Sequence, residues 1–172
     1  MSDLYVSWEE YQQNIETLAI QIYQSGWSCD RIVCLAKGGL RVGDILCRIF
    51  DVPLAILSTA SYGGKDNRVR GKITVSQHLS MTEDTLTGKV LLADDLVDSG
   101  VSLQVAKEWL QKRYKTEIAE LKTAVIWYKN RSIFQPDFYV NYLEHNPWIH
   151  QPFEKYEKIN IQNLIQQQNE PI

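Results

Sequence analysis

The sequence predicts an α/β protein whose core is a parallel sheet flanked by helices. Three wholly apolar runs, Ile32-Val33-Cys34-Leu35-Ala36, Val90-Leu91-Leu92-Ala93 and Ala124-Val125-Ile126-Trp127, have the continuity of strands covered on both faces. Helix-like stretches separate them, and such alternation implies parallel strands joined by crossover helices. With 172 residues the chain has the usual size of one domain, so a single domain spanning residues 1–172 is expected. That length supports a core without disulfides or a structural metal.

The elements follow in order. Ser7-Trp8-Glu9-Glu10 has the form of a capping box, with Ser7 as N-cap and Glu10 reaching back. Tyr11, Ile15, Leu18 and Ile22 then recur on one helical face, and Gly26 ends the helix. After the first strand Gly38-Gly39 breaks the pattern, and Leu40, Ile45, Leu46 and Ile49 continue as a helix. Residues 53–57 read as a second strand, and residues 59–74, with Gly63, Gly64 and Gly71, as a mobile loop. Residues 90–93 form a third strand, and 102–114 a helix with Leu103, Ala106 and Leu110 inward. Residues 124–127 form a fourth strand and Phe138-Tyr139-Val140 a fifth. The tail over 160–172 is rich in Gln and Asn and is expected to fray, with no function attached.

Composition narrows the function classes. The formal charge is −3, with 44% apolar and 23% charged residues, so nothing global draws the chain to nucleic acid or to an anionic membrane. The opening Met1-Ser2-Asp3-Leu4-Tyr5 lacks the basic and apolar regions of a signal peptide, and no apolar run has the length of a membrane span. Cys29, Cys34 and Cys47 are odd in number and lack metal-like spacing, which points to a reducing cytoplasm.

The chemistry is concentrated in Lys89 to Ser102. Here an apolar strand runs into Asp94-Asp95, then Asp98, then Ser99-Gly100-Val101-Ser102 at a helix start. Ligands of open α/β sheets bind beyond the carboxyl ends of the strands. Unpaired amides at a helix N-terminus favour an anion such as phosphate. Carboxylates beside that anion suit a sugar phosphate, because they accept hydrogen bonds from ribose hydroxyls. A single Asp here reads more simply as a solvated cap. The whole arrangement does not, and no dinucleotide fingerprint or Lys-Ser/Thr P-loop offers a rival phosphate site.

Leu91-Leu92-Ala93-Asp94-Asp95-Leu96-Val97-Asp98-Ser99-Gly100 resembles, position by position, the signature of the type I phosphoribosyltransferase family. The similarity runs from about Tyr5 to Lys158. Two departures are mild: Val101 stands where many members have Gly, and Ser102 where Thr is usual. The first matters only if the backbone at Val101 must adopt positive φ. The resemblance implies the fold of that family, with a core over about 28–130 and a small C-terminal/N-terminal hood, the C-terminal part over about 131–158.

It also implies roles for residues. Asp94, Asp95, Asp98, Ser99, Gly100, Val101 and Ser102 would bind phosphoribosyl pyrophosphate, with Asp98 as the catalytic acid–base group. Lys37 and Gly38, in the loop after the first strand, would bind pyrophosphate, in a loop that often carries a non-proline cis peptide. Ser61 and Tyr62 would begin a lid over 59–74 that carries Lys65, Arg68, Arg70 and Lys72. Excluding water there suits a reaction through an oxocarbenium-like sugar.

Trp148-Ile149-His150-Gln151-Pro152-Phe153-Glu154 looks like the base-binding hood of the microbial 6-oxopurine members. Trp148 and Ile149 would hold the base there, and Lys129 would donate to its 6-oxygen. The implied reaction joins hypoxanthine, guanine or xanthine to the sugar and releases pyrophosphate, as in purine salvage. Mg²⁺ would assist, with Asp94 and Asp95 reaching it through water or ribose hydroxyls. Family analogy implies a homodimer or homotetramer, without membrane or nucleic-acid partners. Two other readings stay open at this point: an RNA-binding regulator on the same fold, and a phosphoribosyltransferase for another base such as a pyrimidine.

Overall fold

The computed structural model describes residues 3–61 and 73–169. Its elements in chain order are β1 (Leu4–Tyr5), α1 (Trp8–Gln24), β2 (Arg31–Ala36), α2 (Leu40–Phe50), β3 (Leu54–Ser61), β4 (Ile73–Val75) and β5 (Gly88–Val97). They continue with α3 (Val101–Arg113), β6 (Ile118–Lys129), β7 (Phe138–Leu143), β8 (Ile149–His150), α4 (Lys155–Lys158) and α5 (Ile161–Asn169). The chain divides into two compact units, residues 14–146 and residues 1–13 with 147–172. Residues 131–146, grouped with the hood from the sequence, fall in the larger unit.

The larger unit holds a six-stranded sheet of order β4-β3-β2-β5-β6-β7. All neighbours are parallel except β3 and β4, so the expected α/β class with a parallel core is what the chain forms. The apolar runs lie at the centre: Ile32, Val33, Cys34, Leu91, Leu92, Ala93, Ala124, Val125 and Ile126 are wholly buried. On α3, Leu103, Ala106 and Leu110 turn inward at the predicted spacing and join Val33, Val90, Leu92 and Val125 in one apolar cluster.

Several boundaries differ from the sequence reading. β5 continues through Asp94 and Asp95 to Val97, because its backbone goes on pairing with β6 (Asp94↔Val125, Leu96↔Trp127, Val97↔Tyr128) after its register with β2 ends at Ala93. Polar side chains do not interrupt a backbone ladder, so the end of the apolar run is not the end of the strand. Similarly β6 and β7 extend beyond the predicted 124–127 and 138–140. Residues 59–61 belong to β3 rather than to a loop, held by antiparallel pairing of Thr59, Ala60 and Ser61 with Val75, Thr74 and Ile73. Residues 73 and 74 likewise belong to β4, and the part of the expected lid over 62–72, Tyr62 and the four cations included, lies outside the described residues.

In the smaller unit the capping box forms as expected: the Ser7 amide donates to Glu10 Oε2 at 2.8 Å and the Glu10 amide to Ser7 Oγ at 3.1 Å. β1 and β8 pair in parallel, Leu4 with Ile149 and Tyr5 with His150. Tyr11 meets Phe153 edge-on, with ring centroids 5.7 Å apart. Within the described residues the tail is helical rather than frayed. Residues 161–169 form α5, and its start is capped by the Asn163 amide donating to Asn160 Oδ1 at 3.0 Å. No helix among the described residues is long and apolar enough to cross a membrane.

Candidate active site

Because β2, β5 and β6 are parallel neighbours, their carboxyl ends share one edge of the sheet, and that edge collects the chemistry of the larger unit. A pocket of about 240 Å³ opens there, lined in part by Lys37, Gly38, Asp94, Asp95 and Ser102, with Thr59, Ala60 and Ile73 along one side. The sequence reading named the first five singly and placed the last three within a lid loop over 59–74. They line the pocket from strands instead: β3 runs past the predicted end at residue 57, and β4 forms where a loop was expected.

The glycines after β2 have a steric reason. A Cβ at Gly38 would stand 2.4 Å from Asp95 Oδ1, and one at Gly39 would stand 2.7 Å from the Ala93 carbonyl oxygen. The loop therefore lies against the acidic end of β5 with no room for a side chain. The Ala36–Lys37 peptide of this loop is cis.

Asp94 and Asp98 have opposite electrostatic surroundings. Burial, and next the Asp95 carboxylate, push the Asp94 carboxyl well above the ordinary range. Asp98, just beyond β5, behaves otherwise. Burial raises its carboxyl, but the Arg131 hydrogen bonds and the Lys129 charge outweigh that and hold it below the ordinary value. Arg131 Nε donates to Asp98 Oδ1 at 2.6 Å, and its Nη2 pairs with Oδ2. Lys129, the last residue of β6, is 3% exposed and sets its Nζ 3.4 Å from Asp98 Oδ1.

The turn between β5 and α3 takes the form needed to start a helix with free amides. Gly100 is its N-cap at φ 83°, and a Cβ there would strike Ser132 Oγ at 2.3 Å. The Val101 amide faces Ser99 Oγ at 3.5 Å, and Val101 opens the helix. Among the described residues only Asp51 and Asn146 combine a side chain with positive φ, so Val101 needs no glycine-like backbone. First-turn amides of a helix lack intrahelical carbonyl partners, which leaves this turn suited to an anion.

In the smaller unit, Ile149 is buried on β8, while Trp148 is 57% exposed and its Nε1 donates to Glu154 Oε1 at 3.1 Å. His150 lies between two carboxylates, Nδ1 3.0 Å from Glu154 Oε2 and Nε2 3.0 Å from Asp3 Oδ2. Its ring stacks on Tyr5 at 4.4 Å. The residues expected to hold a base thus divide between the two units, Lys129 in one and Trp148 with Ile149 in the other.

Arg131 is the functional candidate that sequence reasoning missed. An arginine two residues past a strand end looks like any solvated cation, and only the tertiary fold brings it to Asp98. Among the described residues no group of three or more His, Cys, Asp or Glu side chains is arranged to hold a metal ion.

Comparison with known proteins agrees with this geometry. Residues 7–158 match the family model described as phosphoribosyl transferase domain. A xanthine-guanine phosphoribosyltransferase of Roseobacter denitrificans is 24% identical over 160 residues, covering 87% of this chain and 84% of that protein. The crystal structure of a purine phosphoribosyltransferase from Pyrococcus horikoshii superposes with a TM-score of 0.72 at 26% identity, over 89% of this chain and 94% of the other. A Helicobacter pylori xanthine-guanine-hypoxanthine phosphoribosyltransferase shares the fold with a TM-score of 0.75 at 20% identity, over 96% and 99% of the two chains. With nearly the whole chain inside the family model and the acidic strand end, glycine loop and helix-start turn gathered at one sheet edge, the chain belongs to the type I phosphoribosyltransferase family.

Proposed function

We propose that this enzyme transfers the phosphoribosyl group of phosphoribosyl pyrophosphate to a 6-oxopurine, releasing pyrophosphate. The observation that carries the reading is the ionised Asp98 beside the buried ammonium of Lys129, next to a helix-start turn suited to phosphate. A 6-oxopurine presents an acceptor oxygen and, on its imidazole side, a ring N–H, so a buried cation and a carboxylate together match both. Asp98 takes the ring proton as the glycosidic bond forms, and returns it in the reverse direction. Lys129 donates to the 6-oxygen. The amides opening α3, with Ser99 and Ser102, grip the 5-phosphate, while Asp94 and Asp95 accept from the ribose hydroxyls. Lys37 and Gly38 receive the pyrophosphate.

Mg²⁺ fits the donor set. Asp94 and Asp95 are hard oxygen donors whose mutual repulsion a divalent cation would relieve, directly or through water and ribose hydroxyls. When bound, the ion neutralises the leaving pyrophosphate. Two carboxylates supply few ligands, which is the pattern of a metal held largely by substrate oxygens and water.

Pyrophosphate release, measured with hypoxanthine, guanine, xanthine, adenine and uracil in the presence of phosphoribosyl pyrophosphate and Mg²⁺, tests the reading. Fast turnover with the oxopurines, weak turnover with adenine and none with uracil is the expected result. Turnover with uracil alone, or with none of the five, would defeat it.

A further inference from the structure

We propose that Arg131 is the positioning residue for Asp98, orienting its carboxylate and tuning it as the proton acceptor without itself touching the ligands; this rests on the reading of Asp98 as the general base. A guanidinium that engages both carboxylate oxygens fixes the rotation of the carboxylate plane, which a single ammonium cannot do. Arg131 makes that two-point contact through Nε and Nη2, whereas Lys129 reaches only Oδ1. Carboxylate oxygens accept more than one hydrogen bond each, so a purine N–H can be taken up while the fork stays in place.

The segment that carries Arg131 is itself fastened. The Arg131 amide donates to Asn146 Oδ1 at 3.2 Å, and the Ser132 amide to the Lys129 carbonyl at 3.0 Å. One residue further, the Ile133 amide donates to the Ser99 carbonyl at 3.0 Å, and Gly100 packs against Ser132 and Phe134. The turn after β6 is therefore tied both to the strand that ends in Lys129 and to the turn that follows Asp98. Arg131 inherits a fixed distance to Asp98 from that double attachment.

Stability does not account for the pair. Arg131 is more than half exposed, and exposed ion pairs contribute little to folding. The consequence falls instead on the carboxylate. The charged groups facing Asp98 are Lys129 from β6 and Arg131 from the following turn; burial opposes both, and together they prevail. Removing Arg131 leaves one of the two, so the folded value of Asp98 rises and its ionised form is lost at a higher pH.

The test compares Arg131→Met and Arg131→Lys with the wild type. The Asp98 carboxyl is followed by carbon-13 NMR in aspartate-labelled protein, and its signal is assigned by its absence in Asp98→Asn. In Arg131→Met the Asp98 titration moves to higher pH, and the acid limb of kcat/KM for hypoxanthine moves with it. At neutral pH kcat falls roughly ten- to a hundred-fold, the range for losing a hydrogen bond to a charged group. Arg131→Lys restores the charge and recovers part of the pH shift, but recovers less of kcat because the two-point contact is gone. An unmoved Asp98 titration in Arg131→Met overturns the proposal. So does a moved titration with an unmoved acid limb, which would leave Asp98 outside the proton transfer. If the wild type turns over no purine, the proposed function fails by itself, and the carboxyl titration still decides whether Arg131 controls Asp98.

Discussion

The carboxyl end of β5 and the segment from Trp148 to Glu154 both combine acids with cationic partners, yet they differ in what surrounds the charges. Beside β5, the ammonium that faces Asp98 belongs to a lysine at the end of β6 that is 3% exposed. Around Glu154 the partners are an exposed Trp148 and a His150 whose side chain is 29% exposed. Charge interactions strengthen as water is excluded, and charge-assisted hydrogen bonds gain most. The two regions thus teach that a list of contacts does not rank them. Substitutions in the first should cost far more than formally similar ones in the second.

The sharpest way to break that contrast is Asp98→Asn. The change preserves shape but removes the proton acceptor, so kcat should fall by roughly 10² to 10⁴. Affinity for phosphoribosyl pyrophosphate should change little, because the contacts assigned to phosphate and ribose lie on other residues. Steady-state kinetics and a direct binding measurement decide it. An unimpaired kcat would remove Asp98 from the chemistry and erase the distinction between the two regions.

Next in size is Lys129→Ala, which should lower kcat/KM for hypoxanthine or guanine by roughly ten- to a hundred-fold. Adenine bears an amino donor in place of the oxygen. It should be a poor substrate of the wild type and lose much less on the substitution. A constant oxopurine-to-adenine ratio would make Lys129 a structural partner of Asp98 and nothing more.

The same contrast marks what could be read from the sequence. The strand cores were legible because an unbroken apolar run can only be stable between two covered faces, and Val90 to Ala93 sits there. The acidic segment was legible because its parts are contiguous: strand, acids and helix start need no distant residue to define them. The ends of strands were not, since Asp94 to Val97 is held by backbone pairing with β6, to which side-chain polarity is blind. Arg131 was not legible either. Its meaning depends on a turn tied to Ser99, thirty-odd positions away in the chain. In the smaller unit the order Trp148-Ile149 was readable, while the carboxylate pair around His150 was not, because Asp3 comes from the other end of the sequence.

Trp148→Ala sharpens the comparison from the exposed side. Aromatic stacking on a base contributes about 1–3 kcal/mol, and the half-exposed indole places the effect toward the lower figure. All purines should weaken together, because a stacking face does not distinguish the 6-substituent. Dissociation constants for hypoxanthine, guanine and adenine check this. A selective loss for one of them would assign Trp148, or the Glu154 that holds its Nε1, a polar role in recognition.

The smallest expected effect belongs to His150. The hydrogen bond to Asp3 is the largest influence and raises its imidazole above the ordinary histidine value. Burial comes next and opposes it, and the Glu154 hydrogen bond with the two carboxylate charges restores the upward direction. A group whose folded value is raised stabilises the fold fully at pH below its unfolded value, about 6.5. That contribution then fades as pH climbs through the raised folded value. His150→Gln keeps a polar side chain but cannot carry the charge. The unfolding temperature of the variant should therefore lie below that of the wild type at pH 5.5 to 6 (roughly one unit under the unfolded value), and the gap should narrow steadily toward pH 9. Thermal unfolding at a series of pH values reads this directly. Because the Asp3 side of the pair is open to solvent, added salt should shrink the gap at low pH as well. A gap that widens with pH would mean that His150 is favoured in its neutral form, and that Asp3 and Glu154 do not hold the imidazolium.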